Sequence, residues 1–95
     1  MILAFAHPGI VVSDLARAID FYTNMFGFEF LSEEGWSHNN EADRIVGLTK
    51  SSARGCMMRG HNCFIELWEY QEPTQKIEKT QRFGAHELGI RHLAF

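Results

Sequence analysis

The segment His7–Phe30, HPGIVVSDLARAIDFYTNMFGFEF, leaves this chain few options. Ile10, Val11 and Val12 are consecutive β-branched residues, which favour a pleated, half-buried strand. Ser13 and Asp14 then offer side-chain oxygens to the unpaired N–H groups of a helix start. Leu15, Ala18, Ile19, Tyr22, Met25 and Phe26 recur at helical spacing and form one apolar stripe, with Arg17, Asp20 and Asn24 on the opposite side. Gly27 ends the helix, because glycine reaches the left-handed conformation without a Cβ penalty. Extended alternation resumes at Phe28 and is expected to run to Glu33. Strand, amphipathic helix and returning strand together predict a helix covering one face of a sheet.

Before this segment the first strand is expected to cover Leu3–Val12, with Phe5, His7, Gly9 and Val11 on one face. Pro8 cannot donate to a ladder, so the strand is interrupted there or lies at an edge. After it, GWSHNNEADRIVGL reads as a loop holding one short helical turn, Glu41–Leu48, with Ile45 and Leu48 pointing inward. Trp36 and His38 are candidates to line a site from that loop. Ala53–Arg59 and Cys63–Tyr70 predict a hairpin turning through Gly60, His61 and Asn62.

The second arm of the hairpin is the most informative strand. Its period puts Phe64, Glu66, Trp68 and Tyr70 on one face and Cys63, Ile65, Leu67 and Glu69 on the other. The aliphatic face suits the apolar side of the helix. Glu66 is thereby left among aromatic rings, where a carboxylate is costly unless it meets a cation, a metal or a hydrogen-bond donor. Downstream, Glu72–Gly84 is polar and aperiodic like a linker, and Gly89–Phe95, GIRHLAF, predicts a further strand carrying His92.

With 95 residues, 45% hydrophobic and 13% aromatic, the chain suits one small globular domain. A chain of this size buries only about two-thirds of its unfolded surface, so a metal or a second copy adds materially to its stability. The net charge of -3 and the scattered Lys and Arg give no stripe for a phosphate backbone, which argues against nucleic acid. The apolar N-terminus lacks a basic region and meets Pro8 and Gly9 too early for a spanning helix, so neither a signal peptide nor a membrane partner is expected. Cys56 and Cys63 read as reduced, packed thiols of a cytoplasmic protein.

Three stretches in this order, His7 with the segment from Gly9, the strand FIELWEY and the closing GIRHLAF, resemble the vicinal oxygen chelate superfamily of glyoxalases, bleomycin-resistance proteins and extradiol dioxygenases. The resemblance implies an α+β fold, with a βαβββ module over residues 1–72, a linker over 73–88, and the first strand of a second, incomplete module over 89–95. It implies that His7, Glu66 and His92 are ligands of a divalent ion (Zn, Ni, Fe, Co or Mn), with Glu66 also catalytic. Pro8 departs from the more usual apolar residue at its position. Phe64, Trp68 and Tyr70 would form the wall of a substrate pocket. The implied function is a metal-dependent isomerase, epimerase, lyase or dioxygenase acting on a small oxygenated metabolite; the alternative is a non-catalytic binding protein of the bleomycin-resistance type. A lone module presents an unpaired sheet edge, so a homodimer is the expected assembly.

Overall fold

The computed structural model describes residues 1–75 and 83–95. The elements are β1 (Gly9–Val11), α1 (Leu15–Phe26), β2 (Glu29–Trp36), α2 (Asn40–Val46), β3 (Ser52–Arg59) and β4 (Phe64–Glu72). The four strands form one sheet in the order β1-β4-β3-β2. β1 runs parallel to β4, with Gly9 opposite Glu66, whereas β4–β3 and β3–β2 are antiparallel. The fold class is the expected one, an α+β arrangement built on a βαβββ core.

α1 begins and ends as its sequence requires. Asp14 is the extended N-cap residue and accepts the Arg17 N–H at 3.0 Å, while Gly27 closes the helix at φ 70. The sheet adds a second clamp, since Glu69 Oε2 on β4 accepts the Leu15 N–H at 2.6 Å. A negative carboxylate at the positive end of the helix dipole fixes the helix start to the sheet.

Between α1 and the sheet lies the core of Leu15, Phe28, Cys56, Met58, Ile65 and Leu67, with Ile10, Val12, Ala18, Ile19, Tyr22 and Cys63 packed against it. Both cysteines are free thiols, and burial pushes that of Cys56 above the ordinary thiol range. Phe26 is half-exposed and packs on Phe95, with ring centroids 5.6 Å apart.

Several expectations are corrected. The first strand is confined to Gly9–Val11 instead of Leu3–Val12, because Pro8 has no N–H to contribute; its carbonyl still accepts the Glu66 N–H at 3.0 Å. β2 continues to Trp36, so Trp36 stands in a strand, opposite Ala53, and not in a loop. Ile45 is 77% exposed and Leu48 lies at the surface, so neither points inward. The reason is that polar groups attach α2. Asp43 accepts the Ser51 hydroxyl and the backbone N–H groups of Ser51 at 2.8 Å and Lys50 at 3.1 Å, and the hydroxyl first, then these backbone donors, hold its carboxyl below the usual range.

The expected strand around His92 does not form, for residues 89–95 have no strand partner among the described residues. That segment instead sets Phe95 against Tyr22, Phe26 and Phe28. Of the expected linker over 73–88, residues 73–75 and 83–88 hold neither helix nor strand, and 76–82 lie outside the described residues. No helix among the described residues is long and apolar enough to cross a membrane.

Ile65 is fully buried under α1. Ile65→Ala is expected to lower unfolding free energy by about 2–5 kcal/mol, read from the denaturant midpoint; a loss under about 0.5 kcal/mol would place the side chain outside the core.

Candidate functional site

The sheet face opposite α1 carries the polar and aromatic side chains that the core rejects. Residues directly opposite in a ladder share a face, and two such rows run across this one. One contains Gly9, Glu66, Met57 and Ser32, and the other contains Trp68, Gly55 and Glu34.

Glu66 stands at the centre. Trp68, two residues along β4, donates its indole N–H to Glu66 Oε1 at 2.6 Å. His7 Nε2, just ahead of β1, lies 3.6 Å from the same oxygen. Gly55 makes the indole's position possible, since a Cβ there would stand 2.5 Å from Trp68 Cε3 and against the Leu67 carbonyl oxygen. The carboxylate expected to need a donor therefore has one, supplied by its own strand.

Glu34 is the acid that sequence reasoning missed. Strict alternation from Phe28 assigns Phe30, Ser32 and Glu34 to the core side. A bulge between Phe30 and Ser32 instead pairs Phe30 with Met58 on the core face and Ser32 with Met57 on the open face. Glu34 follows Ser32 across and meets Glu66. Burial first, then a hydrogen bond with Glu66 and the charge of Glu66, push the Glu34 carboxyl up to about 7. Its Oε2 is buried with no hydrogen-bond partner.

The expected aromatic wall is divided around Glu66. Trp68 and Tyr70 lie on one side and are joined by Trp36, whose ring centroid is 4.9 Å from Trp68 and 5.7 Å from Tyr70. Phe64 lies on the other side, lining with Phe5, His7, Cys63 and Phe95 an apolar cavity of about 870 Å³. His38 is exposed at the end of β2. His92 is exposed in the carboxyl-terminal segment and does not join His7 and Glu66.

The donor chemistry suits a divalent cation in part. An imidazole nitrogen and a carboxylate converge, and a second carboxyl, Glu34, faces that carboxylate, where like charges repel unless a proton or a cation intervenes. Among the described residues no three His, Cys, Asp or Glu side chains form a group able to hold a metal ion.

The sequence profile of the Glyoxalase/Bleomycin resistance protein/Dioxygenase superfamily matches residues 4–95. No curated protein sequence matches significantly. Among solved structures, a glyoxalase family protein from Bacillus cereus superposes with a TM-score of 0.78 at 22% identity, over 95% of this chain and 60% of that one. A mutant of the genomically encoded fosfomycin resistance protein FosX from Listeria monocytogenes, complexed with Mn(II) and 1S,2S-dihydroxypropylphosphonic acid, superposes with a TM-score of 0.52 at 23% identity, over 80% and 56% of the two chains. The chain thus spans about 60% of the length of the first and 56% of the second, and at these identities the likeness is one of fold.

Filling the space at Gly55 tests the geometry. Gly55→Ala is expected to cost about 1–3 kcal/mol in denaturant unfolding, as overpacked sites do, because one obstacle is backbone and the other a hydrogen-bonded indole. A variant as stable as the parent would show that Trp68 does not lie over Gly55.

Proposed function

This chain belongs to the glyoxalase/bleomycin resistance protein/dioxygenase superfamily, and from that membership we propose that it contributes half of a divalent-metal site in an enzyme acting on a small oxygenated metabolite. One observation carries the reading: His7 and Glu66 converge, with Nε2 and Oε1 3.6 Å apart, and the Glu34 carboxyl faces the same Glu66. His7 and Glu66 would hold the ion, and the remaining ligands come from a second module. His92, implied as a ligand by the resemblance, would reach the ion only within such a pairing.

When bound, the ion supplies Lewis acidity toward neighbouring oxygens of the substrate. The protein's own residues do the rest. Trp68 holds one oxygen of Glu66, which orients the carboxylate and leaves it able to take a proton from a substrate carbon or oxygen. Trp36, Trp68 and Tyr70 form an apolar wall that keeps water from one flank, and Phe64 does so from the other. Mn(II), present in the FosX complex, is the first ion to test. Free thiols suit a reducing compartment, and the reading includes a cytoplasmic location.

Replacing Glu66 with Gln is expected to lower the metal content of purified protein, measured by elemental analysis, and to lower activity with it. Unchanged metal occupancy would overturn the ligand assignment, and a parent protein that binds no ion would favour a non-catalytic binder.

The same reading implies pairing. The apolar cavity at the Phe64 end, the half-exposed Phe26 and Phe95 and the outer edge of β1 present surface that a second copy would cover. Light scattering is expected to return about twice the 10.9 kDa chain mass, and a folded monomer at all concentrations would contradict pairing.

A further inference from the structure

Among the described residues, Ser51 is the one buried polar or charged side chain, at 1% exposure. Its surroundings link the α2–β3 junction to the functional carboxylate. Asp43 on α2 accepts from the Ser51 backbone N–H at 2.8 Å and from the Ser51 hydroxyl, and its other oxygen accepts the Lys50 N–H. The Ser51 hydroxyl in turn accepts the Trp36 indole N–H at 2.8 Å. Trp36 lies against Trp68 with centroids 4.9 Å apart and planes at 57°, and Trp68 donates to Glu66.

Each link restricts the next. Lys50 has φ 52, a left-handed conformation unfavourable for lysine, so the Asp43 clasp holds a strained junction in one geometry. That geometry fixes where the Ser51 hydroxyl stands, and the hydroxyl fixes the Trp36 ring. Trp36 on one flank and Gly55 beneath confine the Trp68 indole, whose N–H direction then sets the Glu66 oxygen. A buried hydroxyl that donates to a carboxylate and accepts from an indole is satisfied in both roles, and such networks hold a single arrangement.

We infer that Asp43 and Ser51 are positioning residues for Glu66, acting through Trp36 and Trp68. The inference rests on Glu66 being the functional carboxylate, and its test separates the two. The chain has two tryptophans, so an amide spectrum of the full metal-free chain contains two indole N–H resonances, and the adjacent rings give an exciton couplet in circular dichroism. In Ser51→Ala the couplet is lost, the Trp36 resonance moves, and the Trp68 resonance shifts upfield as its bond to Glu66 loosens. Ser51→Thr, which keeps the hydroxyl, restores all three. Ile65→Val weakens the core and leaves them unchanged. Where Ser51→Ala does not fold, Asp43→Ala gives the same reading from the exposed side of the clasp.

Mn(II) binding, followed by the resonance of the free ion, is expected to weaken roughly 10- to 100-fold in Ser51→Ala, as for other residues that orient a ligand. A Trp36 resonance that moves while the Trp68 resonance and Mn(II) affinity stay fixed overturns the inference. If the parent chain binds no Mn(II), the metal reading fails and the Trp68 resonance alone decides the inference.

Discussion

Strand β4 is hydrogen-bonded on both sides, parallel to β1 and antiparallel to β3, and the two faces of the domain depend on that pairing. Ile65 and Leu67 face α1 and are fully buried, while Glu66 and Trp68, each one residue away, face the opposite side. A register slip of one residue would exchange the two sets and bury a carboxylate under the helix. Burial of each aliphatic side chain contributes about 1.5–3 kcal/mol, and a hydrogen bond to a charged group contributes a comparable or smaller amount. Several buried side chains therefore outweigh one Trp68–Glu66 bond, and the core sets where the site must lie.

Asp43 and Glu34 show what then happens to a carboxyl group. Asp43 meets two backbone N–H donors and a hydroxyl, which favour its charged form and hold its pKa down. Glu34 is partly buried beside another carboxylate and leaves one oxygen without a partner, so its pKa rises to about 7. The same functional group moves in opposite directions because donors surround one, whereas burial first, and then the neighbouring Glu66, disfavour the charged form of the other.

The chain itself determined much of this. The β-branched run at Ile10, the Asp14 cap, the helical stripe from Leu15 and the αL glycine at Gly27 are local signals, each decided within one turn of backbone, and the structure follows them. Glu66 among aromatic residues was equally legible, since alternation along β4 needs no partner to define it, and the structure brings His7 to it. The features decided by tertiary structure all depend on pairing with distant segments. The length of β1 depends on which N–H groups β4 can use beyond Pro8. Trp36 became a strand residue because Ala53 was there to pair with it, and Ile45 stayed exposed because Asp43 attached α2 through backbone donors. Glu34 reached the site through a bulge, which shifts the phase of an edge strand and leaves no mark in composition. The Ser51 hydroxyl, in the junction before β3, joined Asp43 of α2 to Trp36 of β2. The segment around His92 pairs with no strand among the described residues, because a short apolar run becomes a strand only when its hydrogen bonds are met by a sheet edge, and alternation alone does not bring it to one.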